Sequence, residues 1–439
     1  MMDNFINQKK LVSKSLFHKQ RIAIISDHAD PYTEIGVEEA GGQNVYVRQL
    51  GEILPNFGWS VDIFTRKNNK EDPAIIQSSP YCRTIRLIAG PEKFIPRDQI
   101  FDYMPEFISA FEAFRKQENI YYPIIHTNYW LSAWVGLKLK NLTNIKLVHT
   151  YLSLGIVKYD TALKYKTLTQ LPEIAETRLR VEQQVLEQAD CVVVNSMQEK
   201  EELRNLVSQK GCIELIPLGT NVDLFHPILQ SEARIKLGLK LTEKIVLYVG
   251  RFDPRKGIET IVRACAQSQS RLTENLRLVI VAGSCSDRID GIERQRIEQI
   301  VQEVGLAEKT LFVGRVDHHI LPLYYACADV CVIPSHYEMF GLVAIEAMAC
   351  GTPVIASDVG GLKYTVVHQE TGLLVPPQNI ELFTEAIDRI LGNKVWAKQL
   401  SINGSNRVNK YFNLATTVDQ LNSLYKKLLT QKVELTLTN

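Results

Sequence analysis

The sequence reads as an α/β protein of two doubly wound domains facing each other across a cleft, and three observations carry that reading. The chain has 439 residues, too many for one ordinary core and suited to two of roughly 200 residues each. Short runs rich in Val, Ile and Leu recur, separated by longer stretches of helical period, which is the pattern of a parallel sheet covered on both faces. That series occurs twice, on either side of a segment punctuated by Pro, Gly and Asn.

In the first series strands are expected at 21–26, 60–65, 122–127, 145–150 and 191–195, with helices at 44–57, 98–116 and 173–189. In the second, strands at 244–249, 277–282, 310–313, 330–334 and 353–356 alternate with helices at 257–269, 289–304, 318–327 and 341–350. The junction falls in 217–243, which opens with PLGTNVDLFHP and continues into a polar stretch rich in Lys and Glu. The expected division is an N-terminal arm at 1–20, a first domain at 21–225, a second at 226–404 and a closing segment at 405–439. No period of 20–50 residues is visible, which excludes a solenoid.

Composition narrows the function classes. Hydrophobic residues make up 45% and charged residues 23%, the average for a packed soluble protein. Fifty Lys and Arg against 49 Asp and Glu leave a net charge of +1, so the basic excess of a nucleic-acid binder is missing. The eight cysteines show neither CxxC nor zinc-finger spacing, which reads as a reduced, cytoplasmic chain. Cys327 and Cys331, in an apolar stretch, read as core thiols. Lys9, Lys10, Lys14 and Lys19 precede no apolar signal core, and no run reaches the roughly 18 apolar residues of a membrane span. The basic arm is compatible with peripheral contact to an anionic membrane, a solvated tail being the simpler reading.

In open parallel sheets ligands bind beyond the carboxyl ends of the strands, so the loops there hold the chemistry. After the first strand, Gly41-Gly42 runs into a helix near Asn44. A glycine-bearing helix N-terminus favours phosphate, although a tight helix–strand turn would want the same glycines. The strand at 244–249 leads into Gly250-Arg251-Phe252-Asp253-Pro254-Arg255-Lys256-Gly257, cations at a strand end beside a helix start that do not match a P-loop. Finally, 335–346 reads SHYEMFGLVAIE and places Glu338 in a loop and Glu346 in the following helix. Carboxylates on sugar hydroxyls, with N–H groups, Lys and Arg on a diphosphate, would grip a nucleotide-sugar.

These residues resemble a known family. Glu338 and Glu346 around Phe340-Gly341-Leu342 form the E-x7-E signature of retaining glycosyltransferases of the GT-B fold, two Rossmann-like domains with a final helix, here about 405–428, crossing back to the first. Gly41-Gly42-Gln43-Asn44-Val45, Pro217-Leu218-Gly219, Gly250-Arg251 with Lys256-Gly257, Gly351-Thr352-Pro353, Gly360-Gly361 and Thr371-Gly372 also match, in order. Within the family the chain is most similar to sucrose-phosphate synthases and to the inositol-phosphate glycosyltransferases of mycothiol synthesis. The resemblance implies a nucleotide-sugar donor, most simply a UDP-sugar, and a small phosphorylated acceptor. Arg251, Lys256 and Glu338 would be catalytic. Backbone N–H groups at Gly42, Gly341 and Leu342 would help hold the diphosphate, Gly41, Asn44 and Gly250 would be further donor-binding residues, Arg315 and Val316 would face the base, and Glu346 would bind the ribose. Lys93, Arg97, Tyr129, His149, Ser153 and Arg178 are the implied acceptor residues, Arg178 having a salt bridge to Glu176 or Glu182 as its alternative.

No Asp-x-Asp metal motif stands at a strand end, so the cations would replace a divalent ion. Retention is inherited from the family as front-side attack, the leaving phosphate helping to deprotonate the acceptor. Relatives carry a histidine near the donor sugar's 6-hydroxyl where this chain has Leu152, which would favour a donor lacking that hydroxyl or slow use of glucose; His149 is the alternative to fill that place. The rival readings are a glycosyltransferase of glycolipid or polysaccharide synthesis, a glycan phosphorylase with Lys256 carrying pyridoxal phosphate, and a sugar-nucleotide-binding regulator without turnover.

Overall fold

The computed structural model describes residues 19–33, 41–164, 168–273, 275–285 and 288–434. The expected arm at 1–20 lies outside them except for its last two residues, as does the end of the closing segment beyond 434.

The first sheet has eight strands in the order β3-β4-β2-β1-β5-β6-β7-β8. They are β1 (Gln20–Ile25), β2 (Trp59–Arg66), β3 (Ile75–Ser79), β4 (Cys82–Leu87), β5 (Ile124–Asn128), β6 (Lys146–Thr150), β7 (Cys191–Val194) and β8 (Ile213–Leu215). All neighbours are parallel except β3 and β4. Helices α1 (Gly42–Ile53), α2 (Met104–Gln117), α3 (Tyr129–Leu142), α4 (Gly155–Lys164) and α5 (Ala175–Gln188) connect them. The second sheet is fully parallel, in the order β11-β10-β9-β12-β13-β14. Its strands are β9 (Lys244–Val249), β10 (Leu276–Val281), β11 (Thr310–Phe312), β12 (Val330–Ile333), β13 (Val354–Ser357) and β14 (Gly372–Val375), with helices that include α6 (Ile258–Gln267), α7 (Ile289–Glu303) and α8 (Leu342–Ala349).

Among the parallel strands of each sheet the chain order reverses at one place, between β1 and β5 and between β9 and β12. At such a switch point the loops leave in opposite directions and open a crevice. The loops after β1, β5, β9 and β12 therefore meet in the cleft, and they are the ones that carry the signature residues. Cys327 and Cys331 are fully buried core thiols, as their apolar surroundings imply.

The chain's end differs from the single helix expected at 405–428. Helix α9 (Lys394–Tyr411) packs against α8, Gly404 lying beside Met348. The chain breaks at Phe412–Asn413, and α10 (Leu414–Glu434) runs onto the first domain. Asn413 causes the break, because its side chain accepts from Ala415 N–H at 2.9 Å and competes with helical continuation. The bridge Thr220↔Asn413 joins the two chain crossings. Trp59 Nε1 donates to Asn422 at 3.0 Å, and Tyr425 pairs with His126 Nδ1 at 2.6 Å. Burial holds His126 neutral by pushing its pKa down to about 3.

Candidate functional site

Two helix N-termini face each other across the cleft. Helix α1 starts after Gly41, whose N–H donates to Asn44 Oδ1 at 2.9 Å while Asn44 Nδ2 donates to Asp30 O at 2.9 Å. Asn44 thus ties the preceding loop to the helix start, and its amide is spent on protein groups. Opposite it, α8 starts at Leu342. A Cβ on Gly42 would come within 2.9 Å of Leu342 Cδ1, so a larger residue there would push the two helix ends apart. Their unpaired N–H groups and positive dipole ends make this gap attractive to phosphate.

Arg251 and Lys256, on the loop after β9, supply fixed positive charge beside it. A Cβ on Gly41 would lie 3.9 Å from Arg251 Nε, so the guanidinium stands against the first domain's helix start. Lys256 Nζ contacts Glu338 Oε2 at 2.5 Å, with both side chains partly buried. Glu338 is held through its backbone: its carbonyl accepts from Gly361 N–H at 2.9 Å. Gly360 has φ +46°, and a Cβ there would lie 2.0 Å from the same carbonyl, so this close approach requires glycine. Glu346, in the second turn of α8, accepts from Tyr325 Oη at 2.7 Å and lies 3.7 Å from His318 Nε2. It is 8% exposed.

These groups line a cavity of about 340 Å³ together with Gly250, Gly314, Arg315 and Val316. Every expected donor residue except Asn44 lies on it. His318 joins them unanticipated; its only mark in the sequence is its place two residues beyond Val316.

A second cavity of about 170 Å³ shares Gly41, Gly42, Leu152, Arg251, Lys256 and Glu338 with the first. Its other walls include Arg97, Tyr129, Ser153, Lys158 and Arg255. Arg178 stands behind this wall, wholly buried, where its Nη1 donates to Tyr129 Oη at 3.0 Å and its Nη2 to Ser153 O at 2.9 Å and Oγ at 3.2 Å. Its Nε donates to Glu182 at 2.8 Å. The salt bridge foreseen for Arg178 is thus present, in the core and not on a helix surface, and the same guanidinium orients both hydroxyl residues of the wall. Tyr129 and Leu152 have φ of +74° and +55°, left-handed values that cost bulky residues free energy and are held by their surroundings at the mouth of the cleft.

Lys158, in the first turn of α4, was not foreseen. Burial, together with repulsion from Arg97, Arg178 and Arg255, pushes its pKa down to about 7. Lys93 is exposed and His149 is fully buried, its Nδ1 2.9 Å from Thr127 Oγ1; neither lines either cavity. Among the described residues no group of three or more His, Cys, Asp or Glu is placed to hold a metal ion. No helix there is long and apolar enough to cross a membrane.

Comparison with known proteins agrees with this geometry. Residues 230–407 match the family model "Glycosyl transferases group 1", and residues 41–219 match "Glycosyl transferase 4-like domain". The D-inositol 3-phosphate glycosyltransferase of Corynebacterium diphtheriae is 33% identical over 92% of this chain and 94% of its own. That of Mycobacteroides abscessus is 34% identical over 85% of this chain and 82% of its own. Among solved structures, sucrose-phosphate synthase from Thermosynechococcus elongatus superposes with a TM-score of 0.87 at 52% identity, covering 94% of this chain and all (100%) of that one. HepE of Anabaena, solved with UDP and glucose, has a TM-score of 0.72 at 17% identity over 93% of this chain and 100% of its own, which shows the fold alone.

Proposed function

The chain belongs to the group 1 glycosyltransferases and has their two-lobed GT-B architecture, and from that premise we propose that it moves a sugar from a UDP-sugar to a hydroxyl of a small sugar phosphate, with retention at the anomeric carbon and without a divalent metal. One observation carries the acceptor half of this reading. Arg97, Lys158 and Arg255 converge on a small cavity that opens into the donor cavity at Lys256 and Glu338. Guanidinium and ammonium groups gathered in a shielded pocket match a phosphate dianion. The 52% identity to a sucrose-phosphate synthase, against 33% to an inositol-phosphate enzyme, favours a sugar phosphate over a polyol phosphate.

In this reading the donor diphosphate lies between the starts of α1 and α8, against Arg251 and Lys256, with Glu346 on the ribose and Glu338 on the sugar ring. As the glycosidic bond lengthens, negative charge grows on the diphosphate, and preorganised cations stabilise that charge more than they stabilise the bound donor. The leaving phosphate oxygen then takes the acceptor's proton on the same face, which gives retention. The pairing of Lys256 with Glu338 supports a diphosphate role over that of a Schiff-base lysine. The test is UDP release from a panel of nucleotide-sugars, with and without sugar phosphates. Release that depends on a phosphorylated acceptor supports the reading, and release indifferent to the acceptor's phosphate refutes it.

A further inference from the structure

Strands β7 and β8 lie at one edge of the first sheet, in parallel register with Val192 opposite Ile213. Val192 N–H donates to Cys212 O at 2.9 Å, so Cys191 and Cys212 stand side by side where the two strands begin. Their sulfurs are 3.2 Å apart. A disulfide bond is about 2.05 Å long, so roughly 1 Å of approach would join them. Cys191 is buried and Cys212 is exposed, which gives one protected sulfur and one that an outside reagent can reach.

The segment delivering Cys212 is fixed in place. Arg204 donates to the carbonyls of Ser208, Lys210 and Gly211. Gly211 has φ +85°, and a Cβ there would lie 1.8 Å from Leu186 O, so the backbone passes α5 at a distance only glycine allows. The sulfur contact is therefore set by packing. Lys427 of α10 pairs with Glu214, the residue two beyond Cys212, at 2.9 Å and ties this edge of the sheet to the closing helix.

We propose that Cys191 and Cys212 are a thiol–disulfide exchange site that forms a reversible bond with a low-molecular-weight disulfide, such as oxidised glutathione, as the oxidant. The Cys212 thiolate attacks one sulfur of the oxidant, forms a mixed disulfide and expels one thiolate. Cys191 then gives up its proton and attacks the Cys212 sulfur, which expels the second thiolate. Two protein thiols are oxidised, one external disulfide is reduced to two thiols, and the two cysteine protons end on those products. The bond ties edge strand β8 to β7 at the end remote from the cavities.

The test treats the full-length protein with oxidised glutathione under native conditions, followed by intact mass and non-reducing peptide mapping. The expected result is a mass lower by two hydrogen atoms, a crosslink between the Cys191 and Cys212 peptides, and full reversal by dithiothreitol. Cys212→Ser, at an exposed position, should show no such loss. A stable glutathione adduct left on Cys212, a bridge mapped elsewhere, or both thiols still open to maleimide after treatment would overturn the proposal. So would Cys212→Ser losing two hydrogen atoms as the wild type does.

Discussion

Replacing Lys256 with alanine removes an ammonium that lines the cavity shared by the two helix N-termini and stands 2.5 Å from Glu338. Its side chain is 26% exposed, so water screens it in part, and a unit charge 4 Å from a phosphate oxygen at an effective dielectric near 20 interacts by about 4 kcal/mol. The part realised only as the diphosphate leaves is about 2–4 kcal/mol, the scale of deleting one preorganised charge-stabilising group. That corresponds to a fall in kcat/KM of about 30- to 1,000-fold. A second effect follows from the same contact: without Lys256 the Glu338 carboxylate faces the donor unneutralised, so the donor's KM should rise too. Adding Glu338→Gln to Lys256→Ala should recover donor affinity and leave kcat low. Arg251→Ala, which removes the guanidinium beside Gly41, should fall in the same range. The assay is UDP release at saturating acceptor, with melting temperature as the check on folding. Near-wild-type kcat/KM in both folded single variants would refute the assignment of this loop to the leaving group.

Activity should survive excess chelator, because the protein's own cations take the divalent ion's role; complete loss restored by magnesium or manganese would reveal a metal site. Arg178→Ala should raise the acceptor's KM with little change in the donor's, since it removes the hydrogen bonds that orient Tyr129 and Ser153 in the cavity wall, a hydrogen bond to a charged group being worth about 1.5–3 kcal/mol. Because the pKa of Lys158 is pushed down to about 7, it sheds its proton as pH rises through that region. The acceptor's KM should therefore climb on the alkaline side, and Lys158→Met should raise KM at neutral pH and flatten the climb. Leu152→His should increase glucose transfer over that of a donor lacking the 6-hydroxyl, by the roughly 1–3 kcal/mol of a buried hydroxyl paired or unpaired; an equal change for both donors would remove Leu152 from reading that group.

The sequence disclosed most of the sheet framework, because buried parallel strands such as CVVV in β7 and KIVLYV in β9 are continuous apolar runs. It missed the hairpin β3–β4, where IIQSS and CRTIRL mix polar residues in and form no such run. Helix α3 escaped for the opposite reason: YWLSAWVGLKLKNL is buried on nearly every side and shows no amphipathic period. The donor site was legible because it is built from short contiguous segments at strand ends. The acceptor wall was less so, since Arg97, Lys158, Arg178 and Arg255 come from four separate segments and meet only through the tertiary fold. Spacing could not show that Arg178 stands behind the wall, nor that His149 points into the core.

The central claim, retaining transfer from a nucleotide-sugar to a phosphorylated sugar, is tested most directly by the product. Protein incubated with UDP-glucose and either fructose 6-phosphate or fructose, in the presence of chelator, should release UDP with the phosphate ester and yield a phosphorylated disaccharide whose glucosyl anomeric signal in NMR is α. A β-linked product, or transfer to fructose as fast as to its phosphate, would contradict the account.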